Sequence, residues 1–257
     1  MTDLIFDFNF HPEGYDMYNK GTSVRSETDE LLLHLSFLEE GDYALDCGAN
    51  IGVMTVNYGN KVTSNGKVFS FEPVPLNYDI LSSNVQKHSM TSFVLFENFS
   101  LGQTTGTETF YIRPTNMGDC RPNSTYLDEN DKITVNRISL DDYFKDNHSD
   151  WQKIKFIKMD TQGCEIDILK GCKTLFEISS DKVIFMEYWP YMLSRNNQDF
   201  EWFINFLRKY DFEIRNCMLY PKPTLEQNPV ISVEDLILYY EYYKNTDTHI
   251  NLLLRKK

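Results

Sequence analysis

Four carboxylates stand where carboxylates can do chemistry: Asp46, Glu72, Asp160 and Glu187 each close a short apolar run of the kind that forms a buried strand. In an open α/β sheet, ligands bind outside the carboxyl ends of the strands. Asp46 opens the stretch D-C-G-A-N-I-G, in which Gly48 lets the backbone turn tightly or approach a ligand and Gly52 lets the next helix pack close. The stretch is not the dinucleotide pattern G-x-G-x-x-G, because Asn50 stands in the middle. It suits a pyrophosphate poorly. A ligand with an ammonium group fits better: Asp46 can pair with the cation while backbone groups of the turn meet a carboxylate or ribose. Glu72 ends V-F-S-F-E, twenty residues after Gly52, and is placed to accept hydrogen bonds from both ribose hydroxyls. A glycine turn, a strand-end Asp and a second strand-end Glu together describe S-adenosylmethionine as well as any nucleotide cofactor.

The elements that must position these groups alternate along the chain. Leu31, Leu32, Leu35 and Leu38 recur at helical spacing ahead of the apolar run 43–46, and Glu39-Glu40-Gly41 ends that helix. Helices are predicted from about Gly52, over Leu76 to Lys87, Glu165 to Glu177, Asp199 to Tyr210 and Val233 to Tyr243. Strands are predicted over Lys67 to Glu72, Phe93 to Asn98, Lys155 to Asp160, Lys182 to Tyr188, Phe212 to Cys217 and Ile250 to Arg255. Such alternation implies parallel pairing with right-handed crossovers, hence an α/β doubly wound, mostly parallel sheet in one domain spanning 1–257. Residues 1–26, aromatic and turn-rich, read as a decoration packed over that core. Residues 103–140 read as an inserted β-hairpin, with strands Thr107 to Ile112 and Ile133 to Leu140 around the polar loop Arg113 to Asp131. That nineteen-residue loop is a candidate acceptor lid.

Composition bounds the partners. The chain is 41% hydrophobic and 14% aromatic, ample for a packed core, and no apolar run is long enough for a membrane span. A net charge of −13 disfavours nucleic acid, whose binding needs basic patches, and favours a neutral or polar small molecule or a glycan. The N-terminus lacks the basic and apolar segments of a signal peptide, and the five cysteines show no Cys-x-x-Cys spacing. The reading is cytoplasmic, with reduced thiols; Asn-x-Ser/Thr at Asn98, Asn123 and Asn147 is taken as chance. Nothing in the sequence specifies an oligomer.

The runs D-C-G-A-N-I-G at 46–52, F-S-F-E-P-V-P-L-N at 69–77, I-S-L-D-D-Y-F at 138–144 and F-I-K-M-D-T-Q-G-C-E-I-D-I-L-K-G at 156–171 resemble, in order and spacing, the FkbM-type methyltransferases. Glu27 and Phe185-Met186-Glu187 extend the match, which covers about residues 26 to 190. The resemblance implies a class I, Rossmann-like methyltransferase with a seven-stranded sheet whose last strand, Ile250 to Arg255, is antiparallel. It implies an S-adenosylmethionine-dependent O-methyltransferase acting on a hydroxyl of a sugar, glycan or natural product, with a (deoxy)hexose of a glycan as the leading acceptor. A small natural product or an RNA 2′-hydroxyl as acceptor, or a non-catalytic cofactor-binding subunit, are the alternatives. Carried over by position, Asp46, Gly48, Asn50 and Gly52 would hold the methionine end, Glu72 the ribose, and Asn98 or Ser100 would lie near the adenine. The chain departs from the family at Gln162, where Glu is frequent; an orienting role fits either residue.

An alcohol needs a base to take its proton as it attacks. Asp160 is the candidate base or hydroxyl ligand, Glu187 the group that positions the acceptor, and Lys158, on the same strand face as Asp160, can orient that carboxylate. The alternative for Lys158 and Glu187 is a structural ion pair. Glu165 is read as a helix cap. No metal ligand is assigned: two neighbouring oxygen ligands could hold Mg²⁺, but a third donor is not evident. Arg113, Arg121, Tyr188, Trp189 and Tyr191 are candidates to contact a sugar. The histidines (11, 34, 88, 148 and 249) are scattered, and none is expected to face the crevice.

Overall fold

The computed structural model describes residues 3–10, 27–122, 125, 128, 131–145, 151–178, 182–218 and 221–256. The predicted N-terminal decoration is therefore described only over 3–10, where the backbone of Ile5 and Asn9 is hydrogen-bonded by Asn57 and Asn84, and the lid loop only in part. Sequons Asn123 and Asn147 and histidines 11 and 148 lie outside the described residues.

In chain order the strands are β1 (Tyr43–Cys47), β2 (Lys67–Phe71), β3 (Val94–Glu97), β4 (Ser100–Leu101), β5 (Gly106–Tyr111), β6 (Lys132–Ile138), β7 (Ile154–Met159), β8 (Val183–Tyr188), β9 (Phe212–Met218), β10 (Val230–Ile231) and β11 (Ile250–Lys256). The α-helices are α1 (Thr28–Leu35), α2 (Val53–Val62), α3 (Pro75–Lys87), α4 (Leu140–Lys145), α5 (Glu165–Lys170), α6 (Lys173–Ile178), α7 (Pro190–Arg195), α8 (Phe200–Lys209) and α9 (Val233–Tyr243). The main sheet runs β10-β9-β11-β8-β7-β1-β2-β3. Strands β8, β7, β1, β2 and β3 are parallel, and β11 lies antiparallel between β8 and β9. The α/β, mostly parallel architecture with an antiparallel last strand is as expected. The sheet has eight strands rather than seven, because β10 pairs onto the edge of β9; two residues are too short to leave a periodic trace.

Two further differences have local causes. The expected hairpin exists as β5 and β6, but β4 joins it in parallel to make a separate three-stranded sheet. Its second strand stops at Ile138 because the Ser139 hydroxyl accepts from Asp142 N at 3.1 Å and starts α4. The single helix expected over 165–177 is broken into α5 and α6. At the break a Cβ on Gly171 would lie 2.2 Å from the Gly102 carbonyl oxygen, so two backbones meet there. Asp141 then accepts from Lys173 N and Thr174 N, starting α6 anew.

Side chains alternate across the sheet with period two. Leu45, Cys47, Ile157, Met159, Ile184 and Met186 enter one core layer, whereas Ala44, Phe156, Phe185 and Leu253 enter the other. The same parity puts Asp46, Lys158 and Glu187 on the second face. Register aligns Asp46 with Lys158 and Glu187 with Asn251. Among the described residues, no helix is long and apolar enough to cross a membrane.

Candidate active site

The turn after β1 is held from both sides. Gly48 N and Ala49 N donate to the Phe71 carbonyl at the end of β2 (3.0 and 2.9 Å), and Asp160 N donates to the Cys47 carbonyl. Gly48 has φ +80°, and a Cβ there would lie 2.0 Å from the Asp160 carbonyl oxygen, so a side chain has neither the conformation nor the space. Gly52 serves packing, but against α3 and not between α2 and its strand: its Cβ would meet the Leu81 side chain at 2.6 Å, and it does not line the cleft. Asn50, left-handed at φ 51°, donates its N–H to Glu72 Oε2 at 2.8 Å.

A cleft of about 1330 Å³, including space open to solvent, runs from this turn across the ends of β2, β7 and β8. Of the residues proposed from sequence, Gly48, Asn50, Glu72, Ser100, Lys158, Asp160 and Glu187 line it. Asp46 and Asn98 do not. Asp46 is fully buried one layer behind, accepting from the Thr55 hydroxyl at 2.6 Å and lying 3.5 Å from Lys158 Nζ. Direct pairing of Asp46 with a ligand ammonium is therefore replaced by pairing with Lys158. Asn98 braces the end of β2, donating from Nδ2 to the Glu72 and Pro73 carbonyls.

Lys158 is buried, donates to the Gly48 carbonyl at 2.9 Å and reaches Asp160 Oδ2 at 3.8 Å. Burial alone would lower its pKa, but the Asp46 and Asp160 carboxylates outweigh it and hold the ammonium above its ordinary range. Among the described residues its ion pairs are to Asp46 and Asp160; the alternative Lys158–Glu187 pair does not form. Gln162, at left-handed φ 58°, donates from Nε2 to Asp160 Oδ1 at 2.9 Å, which a Glu there could not do when ionised. Glu165 anchors the same turn, its Oε1 accepting from Thr161 N, Thr161 Oγ1 and Gly163 N. Those groups precede α5, whose N-cap Cys164 makes no side-chain hydrogen bond, so Glu165 braces the turn before the helix and is not the cap expected.

Glu187 is buried, lines the cleft, and its Oε2 has no hydrogen-bond partner. Burial, reinforced by Asp160, pushes its pKa well above the carboxylate range. Facing it is His249, which also lines the cleft, with Nε2 3.7 Å from Glu187 Oε1. This corrects the expectation that no histidine faces the crevice. The signal was present: an antiparallel last strand must begin at the carboxyl edge of its parallel neighbours. Glu27 and Glu30 of the α1 region and Glu108 of β5 line the cleft too; of these Glu30 and Glu108 were not anticipated. His34 is a core residue, its Nδ1 bonded to the Tyr58 hydroxyl at 2.7 Å.

The proposed sugar contacts fare differently. Arg113 and Arg121 both pair with Asp119, and Arg121 is buried, so their guanidinium groups are engaged within the loop. Met117, Gly118 and Cys120 of that loop line the cleft instead, fixed by Asn77 Nδ2 donating to the Met117 carbonyl. Tyr188 points into the core and donates to the Leu236 carbonyl. Trp189 and Tyr191 are buried off the cleft, with Trp189 against His249. Among the described residues, no group of three or more His, Cys, Asp or Glu side chains is arranged to hold a metal.

The buried acids make stability depend on pH. Burial raises Glu72 and Glu165 to about 7 and Glu30 to about 8. An acid whose folded pKa is raised contributes stability that is complete below its ordinary range and lost as pH rises through the folded value. His34 and His249, lowered by burial, act oppositely and withdraw stability below their ordinary 6.5. Thermal melts of the free protein should therefore decline from about pH 6.5 to about pH 8.5. A flat or rising midpoint over that range would contradict the burial of these acids.

Comparison with known proteins bears on the same region. The methyltransferase FkbM domain family matches residues 46–214, from the last residues of β1 into β9. Methyltransferase sdnD of Sordaria araneosa is 26% identical, with 52% of this chain and 61% of the relative covered. Hexuronic acid methyltransferase AglP of Haloferax volcanii is 29% identical, with 58% of this chain and 57% of the relative covered. The chain thus spans about three fifths of the length of these relatives. A crystal structure of methyltransferase FkbM from Methylobacillus flagellatus aligns with TM-score 0.50 at 18% identity, over 93% of this chain and 52% of that one, and shares the fold. The family match takes in the glycine turn, Glu72, Asp160 and Glu187 together, and the chain belongs to the FkbM methyltransferase family.

Proposed function

We propose that the chain is an S-adenosylmethionine-dependent O-methyltransferase acting on a hydroxyl of an uncharged sugar, a (deoxy)hexose of a glycan. The observation that carries the cofactor reading is the cradle at Gly48, where a Cβ would fill the 2.0 Å left before the Asp160 carbonyl, opposite a Glu72 carboxylate whose orientation is set by Asn50 N and Val74 N. Gly48 and Asn50 would hold the methionine end, with Asp46 and Gly52 shaping the turn from behind; Glu72 would take the ribose hydroxyls, and Ser100 would lie toward the adenine. When bound, the cofactor supplies a methyl group activated by a sulfonium. The chain's part is to orient the acceptor in a dry site. Asp160, with Oδ1 held by Gln162 and Oδ2 facing Lys158, is the ligand for the acceptor hydroxyl, and Glu187 positions the acceptor from β8.

A relative named for hexuronic acid supports a sugar acceptor. The lack of an unpaired lysine or arginine among the described residues lining the cleft argues against a uronate here. Glu27, Glu30, Glu72, Glu108, Asp160 and Glu187 line it against Lys158, which is already paired. The net charge of −13 likewise supports a glycan over nucleic acid. Isothermal titration with S-adenosylmethionine tests the cofactor, and no binding at millimolar cofactor would remove the reading. Label from tritiated cofactor should then enter a glycan pool in preference to lipid or RNA, and a neutral deoxyhexoside in preference to a hexuronoside. Label confined to RNA or to the hexuronoside would reassign the acceptor.

A further inference from the structure

His249 stands at the start of β11, one residue before the register pairs Ile250 with Tyr188 and Asn251 with Glu187. The antiparallel course of β11 brings the ring to the edge of the sheet where Asp160 and Glu187 end their strands. Its side chain is 32% exposed and lines the cleft, whereas the facing Glu187 side chain is 9% exposed with Oε2 unpartnered. Trp189 packs on the ring with centroids 5.5 Å apart, which limits its rotation. An acidic side chain 3.7 Å behind one ring nitrogen and open space beside the ring leave the imidazole placed to take a proton from the cleft. Asp160 is less suited, because Gln162 and Lys158 already engage its two oxygens.

We infer that His249 is the general base for the acceptor hydroxyl, oriented by Glu187. The inference rests on the methyl-transfer reading above. With Nε2 turned to Glu187, Nδ1 is the nitrogen that accepts. As the acceptor oxygen forms its bond to the methyl carbon, the carbon–sulfur electron pair stays on sulfur and the hydroxyl proton passes to Nδ1. The positive charge of the imidazolium is met by Asp160 and Asp247, and the proton leaves to solvent across the exposed edge of the ring. The titratable and charged groups facing the ring are Glu187 of β8, which burial favours in its neutral form, Asp160 after β7 with Lys158 behind it, Asp247 of its own loop and, beyond Trp189, Arg121. Burial lowers the ring below its ordinary range despite Asp160 and Asp247, which keeps it neutral and able to accept a proton at neutral pH.

The test compares wild type, His249→Gln and His249→Ala. Titration with S-adenosylhomocysteine should show unchanged affinity in both variants. Transfer to the acceptor fraction that wild type labels should fall by about 10²–10⁴-fold. The acid limb of the rate–pH profile should disappear in both variants, and free imidazole should restore part of the rate to His249→Ala. A His249→Gln protein that binds homocysteine-form cofactor, transfers near the wild-type rate and keeps the acid limb would overturn the inference while leaving the methyltransferase reading intact. Failure of wild type itself to bind cofactor or transfer methyl overturns that reading, and the inference with it.

Discussion

Replacing Gly48 with alanine is expected to abolish cofactor binding and to destabilise the fold severely. The left-handed backbone at φ +80° costs a residue with a Cβ about 1–2 kcal/mol by itself. The contact is the larger effect, because the atom met at 2.0 Å is a backbone carbonyl oxygen, that of Asp160, rather than the flexible end of a side chain. Relief requires the end of β7 to move away from β1. That movement breaks the Asp160 N–Cys47 O bond and drags with it the carboxylate that Gln162 and Lys158 hold. Gly52→Ala is the internal comparison: it shares the positive φ but meets the Leu81 methyl, which can rotate aside, so its loss should be smaller. Urea midpoints and titration with S-adenosylhomocysteine separate the two variants. Wild-type affinity in Gly48→Ala would show that the turn is not where the cofactor lies.

The second large effect is expected from Lys158→Met. The ammonium lies within 4 Å of Asp46 and Asp160 and donates to the Gly48 carbonyl, tying β1, its turn and β7 together. Asp46 Oδ1 is buried with no hydrogen bond, so Lys158 at 3.5 Å is its compensation among the described residues. Removing one partner of a buried pair costs about 3–5 kcal/mol, because the other charge is left in a low-dielectric site. The double variant Asp46→Asn/Lys158→Met should recover part of that loss, since no bare carboxylate remains. Denaturant melts of the four proteins form the cycle. A single-variant loss within the roughly 0.5 kcal/mol of a surface substitution would show the pair to be unimportant.

The main sheet was legible because its strands are buried on both faces and separated by amphipathic segments: 43–47, 154–159 and 183–188 stand out as apolar runs whatever their neighbours do. Period two then places Lys158 and Asp160 on one face without any tertiary information. What escaped depends on contacts between distant segments. The break at Gly171 is caused by Gly102, and the addition of β4 to the small sheet by β6, neither of which has a local signature. Asp46 looked like a ligand because it ends a strand, yet Lys158 opposite in the register claims it. His249 has no signature in its own segment, because it precedes its strand instead of ending one. Combining the antiparallel course of Ile250 to Arg255 with the residue just before it would have found the histidine.

The insertion of β11 between β8 and β9 also bears on how the molecule assembles. β8 and β9 do not pair with each other; each pairs with β11, the last of these strands to be made. Strands β1, β2 and β3 can pair as soon as they and their helices emerge, with the glycine turn among them. The opposite half must wait, because its sheet has a gap one strand wide until residues 250–256 arrive to close it. A chain emerging from the ribosome can therefore carry a finished glycine turn with Glu72 beside it well before the strands at Glu187 and His249 are joined, and the order of synthesis separates the two ends of the cleft.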